Sequence, residues 1–207
     1  MKDSEIEVSV IITAYNEEKF ISRCLRSIIK QSLPHDKYEI IVVNDASNDK
    51  TSYALDSFGD AIKVINNKKN IGLPASINKG IKIAKGKYII RLDADDYVNL
   101  NYLNFLKLFL DFNNDYDAAA CDYLLVDDEE KVLGRYDAIE CPIGCGVMFK
   151  KIDLVKLGLY DESFLRHEEK ELRVRFEKKY KMGHLNLPLY RYRKHENNIT
   201  NDKNYEV

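Results

Sequence analysis

The chain has 207 residues, with 32 basic against 34 acidic side chains and a formal charge of −2. It therefore carries no basic field of the kind that marks nucleic acid as a partner. Its length supports one well-buried core with at most an appendage, and no apolar run reaches the roughly 20 residues that a transmembrane segment needs.

The start, Met1-Lys2-Asp3-Ser4-Glu5, is charged and has no signal-peptide apolar region, so the chain is expected to be cytoplasmic. Peripheral membrane contact at the inner face is compatible with that expectation. Val8-Ser9-Val10-Ile11-Ile12-Thr13-Ala14 is a short β-branched run, the signature of a strand buried on both faces. Ile21, Leu25, Ile28 and Ile29 then recur at helical spacing until Pro34 stops the pattern. A second strand is predicted over 38–43, a third over 61–65, a helix over 74–84 ended by Gly86, and a fourth strand over 87–92.

Strands alternating with helices at this spacing predict an α/β fold with a parallel, doubly wound sheet, in which ligands sit beyond the carboxyl ends of the strands. Three polar clusters fall at three such ends: Tyr15-Asn16-Glu17, the run from Asn44 to Asp49, and Asp93-Ala94-Asp95-Asp96. The second half changes character. An amphipathic helix (Leu100, Leu103, Leu106, Phe109, Leu110) leads into two strand-like runs, 118–126 and 131–136, around the acidic turn Asp127-Asp128-Glu129-Glu130. These read as a hairpin. The small residues Gly144-Cys145-Gly146 permit close approach of a ligand or another strand. A charged helix is predicted over 168–179 with Leu172 and Phe176 on one face, then a short strand over 188–192 and a frayed tail beyond Thr200. Cys24 and Cys121 read as core thiols, and Cys141-x-x-x-Cys145 lacks the second Cys/His pair that a zinc site needs.

The most informative stretch is Tyr88-Ile89-Ile90-Arg91-Leu92-Asp93-Ala94-Asp95-Asp96, an apolar strand ending in three carboxylates within four residues. Ionised carboxylates so close together repel one another and resist desolvation. A divalent cation, Mn²⁺ or Mg²⁺, relieves that repulsion and prefers carboxylate oxygens. On these residues alone the competing reading is a solvated turn capping a helix that follows at Asn99. Asp45 can accept a hydrogen bond from a base ring N–H; the alternative is a turn whose Asp and Ser residues cap the next helix. No Gly-x-Gly-x-x-Gly or Gly-x-x-x-x-Gly-Lys-Ser/Thr is present, which argues against a dinucleotide oxidoreductase or a P-loop kinase.

These motifs occur in order along the chain: 8–17, 41–51, Asn70-Ile71-Gly72-Leu73, Asn78-Lys79-Gly80-Ile81, 84–89, Leu92-Asp93-Ala94-Asp95-Asp96, Glu168-Glu169, and Tyr190-Arg191-Tyr192-Arg193-x-His195. Together they resemble the inverting glycosyltransferases of family 2. The resemblance implies a GT-A (Rossmann-like) fold: a mostly parallel central sheet flanked by helices, with a small antiparallel hairpin and C-terminal helix on the acceptor side. It covers a single domain over 1–207, with a nucleotide-binding half at about 6–98 and an acceptor-side half at about 99–200. It also implies roles. Ala14, Tyr15, Glu17, Asn70 and Ala94 line the nucleotide-sugar site, and Asp45 pairs with the base. Asp93 lies near the ribose and diphosphate, Asp95 is the metal ligand with Asp93 and His195 beside it, and Asp96 supports the sugar or the loop. Glu169, preceded by Glu168, is the general base, and Arg193 with His195 closes over the diphosphate.

The sequence departs from the family pattern at four points. Asn44 replaces the first of two aspartates, Ala46 stands where glycine is common, Ile77 where arginine is frequent, and Glu169 where aspartate is usual. The implied reaction is transfer of one sugar from a nucleoside-diphosphate donor, UDP-sugar favoured, to a glycan or lipid-linked hydroxyl acceptor. The short chain without membrane helices favours a single-sugar transferase over a processive synthase. Two alternatives stand beside it: a non-catalytic GT-A-like nucleotide-sugar or glycan binding subunit, and, more weakly, a sugar nucleotidyltransferase, whose glycine-rich basic loop is missing after Ala14.

Overall fold

Val8, Val10 and Ile12 turn to one face of the central sheet and Ile11 to the other, and both sets are fully buried. A strand with apolar residues on both sides needs helices on both sides. The computed structural model, which describes residues 5–164, 166–196 and 198, supplies them. The expected frayed tail beyond Thr200 lies outside the described residues. In chain order the elements are β1 (Val8–Ala14), α1 (Ile21–Ile29), β2 (Tyr38–Asn44), α2 (Thr51–Asp56), β3 (Lys63–Asn66), α3 (Leu73–Ile83), β4 (Tyr88–Asp93), β5 (Tyr97–Val98), α4 (Tyr102–Phe112), β6 (Ala118–Val126), β7 (Val132–Tyr136), β8 (Val147–Lys150), α5 (Lys151–Leu157), α6 (Glu168–Glu177) and β9 (Met182–Arg193).

The strands pair in the order β3-β2-β1-β4-β8-β6-β9-β5, with β7 on β6. β3, β2, β1 and β4 are mutually parallel, whereas β8 runs antiparallel between β4 and β6. β6 and β7 form the expected hairpin. The fold is thus α/β, with a mostly parallel nucleotide-side sheet and antiparallel additions. One core cluster joins α1, α2 and α4 to the Val10, Val42, Ile90 face. The other joins α3, α5 and α6 to the Ile11, Ile41, Ile89 face through Ile77, Leu154, Leu172 and Phe176.

Two expectations are corrected, and one segment left unassigned by the sequence gains its elements. α3 runs within a residue of the expected 74–84, but it is Ala84, in an extended conformation (φ −59°, ψ 141°), and not Gly86 that ends it. The last strand, expected over 188–192, spans twelve residues. Pro188 lies at a register shift opposite Asp122, the kind of place where a missing N–H costs no ladder bond. The segment after Cys145 forms β8 and then α5, which stops at Gly158 in a left-handed conformation (φ +96°).

Gly86 matters for a different reason. A Cβ there would lie 2.5 Å from the Ser9 backbone nitrogen and 2.7 Å from the Val8 carbonyl carbon, so neither neighbour can rotate away. Gly86 N also donates to Ser9 Oγ at 2.8 Å. Gly86→Ala is expected to cost about 2 kcal/mol, a fall in melting temperature of roughly 4–8 °C for a chain of this size. Thermal unfolding of the two proteins side by side checks it, and an unchanged midpoint would contradict this account.

Candidate active site

Parallel register brings the three polar clusters to one edge. Thr13 pairs with Val43 on one side and Asp93 on the other, and Ala14 pairs with Asn44. The segments that follow β1, β2 and β4 therefore leave the sheet together. The first two are laced by reciprocal bonds. Asn16 N donates to Ser47 Oγ (3.0 Å) and Asn48 N to Asn16 Oδ1 (2.9 Å), while Glu17 N donates to Thr51 Oγ1 (2.8 Å) and Glu18 N to Asp49 Oδ2 (3.0 Å). Asn16 and Ala46 both sit in the left-handed region, at φ +58° and +61°. The departure at Ala46 thus occupies a conformation that glycine adopts without strain.

Asp45 is 4 % exposed. Its carboxylate accepts from Asn67 Nδ2 (2.8 Å), Ile71 N (2.9 Å) and Gly72 N (2.9 Å). Three of roughly four lone pairs are thereby engaged in holding the 67–72 loop, leaving one for a base N–H. Asn70 accepts from Gly72 N at 3.0 Å and closes the same loop. Ala14 is buried, and its carbonyl accepts from Asp45 N (2.8 Å). Tyr15 is 48 % exposed, and Ala94 is buried.

The carboxylates after β4 have separate environments, and none of them caps α4, whose first turn is served by Asn99 Oδ1 and Gln31 Oε1. Asp93 takes a two-pronged bond from Arg91, with Nε on Oδ1 at 2.7 Å and Nη2 on Oδ2 at 3.1 Å. The expectation that Asp93 shares the cation thus meets a guanidinium already on both its oxygens. Asp95 Oδ2 faces His195 Nε2 at 3.0 Å, with Asn198 Nδ2 at 3.5 Å, and Oδ1 has no partner among the described residues. Asp96 is buried and accepts from Tyr190 Oη (2.6 Å) and Arg193 N (2.7 Å). Burial first, then the charges of Asp95 and Asp93, push its carboxyl well above the usual range. Of the two roles expected for Asp96, the geometry matches loop support.

Glu17 is the counterpart. Among the described residues its carboxylate has no hydrogen-bond or ion-pair partner, and burial together with Asp95, Asp93 and Asp49 raises it to about 8. The unpartnered carboxyl oxygens of Glu17 and Asp95 suit a hard divalent cation, which would take the place of the proton that Glu17 otherwise keeps.

The acidic pair is split by its surroundings. Glu168 is 3 % exposed and pairs with Arg91 Nη1 at 2.8 Å. Glu169 has a side chain 26 % exposed, with His167 Nδ1 4.0 Å away. Gly144 lies against both groups: a Cβ there would be 3.0 Å from Arg91 Nη1 and 3.2 Å from Glu169 Cβ. Arg193 is buried, and its guanidinium donates to the carbonyls of Asp95, Asp127 and Asp128 and to Glu130. These bonds engage four of its five N–H groups. Sequence reasoning missed Arg91, which links Asp93 to Glu168; its one visible signal was a charge in the middle of an apolar strand.

A separate group, Asp122, Asp137 and His184, places ligand-type atoms within 4.8 Å of one another. Arg135 already holds Asp122 there through Nε (3.1 Å) and Nη2 (2.6 Å). The four cysteines are free, and Cys141 is exposed. No helix among the described residues is long and apolar enough to cross a membrane.

Comparison with known proteins places this geometry. An uncharacterised glycosyltransferase of Haemophilus influenzae is 38 % identical over 132 residues, 61 % of this chain and 40 % of the relative. A poly(ribitol-phosphate) beta-glucosyltransferase of Bacillus spizizenii is 40 % identical over 110 residues, 49 % of this chain and 17 % of the relative. The chain thus spans well under two thirds of the length of these curated relatives. S. aureus TarS 1–349 in complex with UDP-GlcNAc superimposes with a TM-score of 0.81 at 22 % identity, over 98 % of this chain and 62 % of that one. The mannosyltransferase PcManGT from Pyrobaculum calidifontis, in complex with GDP-Man and Mn²⁺, gives 0.72 at 18 % identity, over 94 % and 59 %. These likenesses establish the GT-A fold. The family pattern described as "Glycosyl transferase family 2" matches residues 9–186, and the chain belongs to that family.

Proposed function

We propose that this protein transfers a single sugar from a nucleoside-diphosphate sugar to a hydroxyl acceptor with inversion at the anomeric carbon, in the synthesis of a cell-surface glycan or polymer. The observation that carries the reading is the joining of the acidic strand end to the acidic pair through Arg91. Leaving-group chemistry and base chemistry need carboxylates on opposite sides of one reacting carbon.

Asp45 offers its remaining lone pair to the base, and Tyr15 is exposed just beyond the neighbouring strand β1. Glu169, the more open member of the pair, takes the proton from the acceptor hydroxyl as that oxygen bonds to the anomeric carbon. The bond from that carbon to the diphosphate oxygen breaks, and the electron pair leaves with the diphosphate. One displacement without a covalent intermediate inverts the configuration. Asp95, with Glu17 and His195 beside it, would hold Mn²⁺ or Mg²⁺, which when bound neutralises charge on the leaving diphosphate. Relatives named as poly(ribitol-phosphate) glucosyl- and N-acetylglucosaminyltransferases, and a structural neighbour in complex with UDP-GlcNAc, support a UDP-sugar donor and a polymer acceptor.

A thermal-shift panel of UDP-, GDP- and dTDP-sugars tests the reading. At least one nucleotide is expected to stabilise the protein only with Mn²⁺ present, by about 2.7 kcal/mol at a hundredfold excess over Kd. Asp95→Asn should abolish that cation-dependent shift. Glu169→Gln should keep it while turnover falls roughly 10²–10⁴-fold. A flat panel would sink the proposal, and binding without turnover for every donor would identify a non-catalytic subunit.

The isolated carboxyl of Glu17 adds a pH signature. With its carboxyl raised from 4.5 to about 8, the native state holds a proton that the unfolded chain releases. Rising pH between those values therefore removes stability. Glu17→Gln should lose less stability than wild type from pH 5 to 8 in EDTA, by on the order of 1 kcal/mol at pH 8. Urea unfolding across that range reads the difference, and parallel curves would contradict it.

A further inference from the structure

Arg91 is a full cation set into the sheet. It shares a face with Ile89, two residues before it, which packs in the core beneath α3, α5 and α6. An apolar residue would fill such a position, yet Arg91 is 8 % exposed, and its hydrogen bonds and ion pairs among the described residues all go to Asp93 and Glu168. Its fork covers both Asp93 oxygens, and its third arm reaches Glu168, 77 residues away.

We infer that Arg91 is a positioning residue which withholds Asp93 from the divalent cation and, through Glu168, fixes the first turn of α6 that carries Glu169. This rests on the glycosyl-transfer reading and assigns its geometry to one side chain. A planar guanidinium matches a carboxylate at two points, which a lysine ammonium cannot do. A cation binding Asp93 must displace that fork or share a carboxylate with another positive charge, and both are unfavourable. Asp95 Oδ1 and Glu17, which have no partners among the described residues, are left for the metal. At the other end, Glu168 is buried with Arg91 as its cationic partner, so the start of α6 is tied to β4. Glycine at 144 leaves room for the guanidinium and Glu169 to lie side by side under the 143–146 loop. One residue thereby sets the spacing between the cation and the base.

A residue that merely holds the fold would weaken metal binding and turnover together when lost. The positioning role moves them in opposite directions. Two variants of the full chain are compared with wild type: Arg91→Lys, and Arg91→Met combined with Glu168→Gln, which leaves no buried carboxylate orphaned. Mn²⁺ is titrated by electron paramagnetic resonance, alone and with UDP. Freed Asp93 should tighten Mn²⁺ at least threefold in the double variant and less in Arg91→Lys. Adding Asp93→Asn to the double variant should return the affinity to the wild-type value. Turnover of a donor accepted by wild type should fall at least tenfold while donor KM moves less than threefold. Mn²⁺ affinity unchanged or weakened in both variants overturns the inference, whatever the activity. A wild type that binds Mn²⁺ but transfers no sugar overturns the glycosyl-transfer reading and leaves the titration to decide Arg91. A wild type that binds no Mn²⁺ with UDP present overturns both.

Discussion

Five carboxylates, Glu17, Asp45, Asp93, Asp95 and Asp96, are carried to one edge of the sheet by the parallel register of β1, β2 and β4, and ionised groups so placed repel one another. The protein gives each a different environment. Asp45 is held by backbone and amide donors, and Asp93 by a guanidinium. Asp96 is buried against a phenol and a backbone N–H, where the neutral form is favoured. Among the described residues, Asp95 has His195 and Asn198 on one oxygen only, and the Glu17 carboxyl has no hydrogen-bond or ion-pair partner. The oxygens that remain unpartnered among the described residues belong to these two groups. A cation site is defined here as much by which carboxylates are already satisfied as by which are present.

The same edge depends on close backbone approach within the sheet. Gly86 lets the turn before β4 lie directly against Val8 and Ser9, and Tyr88 N then donates to Glu7 O at 2.9 Å. Displacing β4 relative to β1 would carry Asp93 away from Thr13 and the segment beyond Ala14. A glycine at the amino end of the strands thus bears on the site at their carboxyl ends, through the rigidity of parallel pairing.

What could be read in advance followed from what local sequence encodes. β1, β2 and β4 were legible because apolar residues on both faces exclude most other placements, and the polar clusters then located the strand ends. β9 was only partly legible, since Pro188 looks like a boundary until its register shift against β6 is known. α5 was missed: seven residues offer too few turns for a periodic signal, although Gly158 marks its end. Arg91 could not be interpreted from its neighbours, because a mid-strand arginine gains meaning only from Glu168 across the fold. The identity of Asp96 as a carboxylate was plain, but its burial against Tyr190 and Arg193 depends on contacts nearly a hundred residues distant.

Arg193 shows how a residue near a site can act on the backbone that carries it. Its guanidinium lies over Phe20 and Tyr97, with its carbon 4.8 Å and 5.4 Å from the ring centroids. It also binds the carbonyls of Asp95, Asp127 and Asp128. Arg23 and Lys19 hold the same 127–130 turn by pairing with Glu130 and Asp128. The acidic turn of the β6–β7 hairpin is thereby strapped to α1 and to the strand end that carries Asp95. Because Arg193 grips the backbone of Asp95 rather than its carboxylate, it fixes where that carboxylate stands without neutralising it at contact. Arg91 does the reverse, engaging the carboxylate of Asp93 directly. Two arginines on either side of Ala94 therefore leave adjacent aspartates in opposite states, one satisfied and one available, from the same Asp-x-Asp sequence.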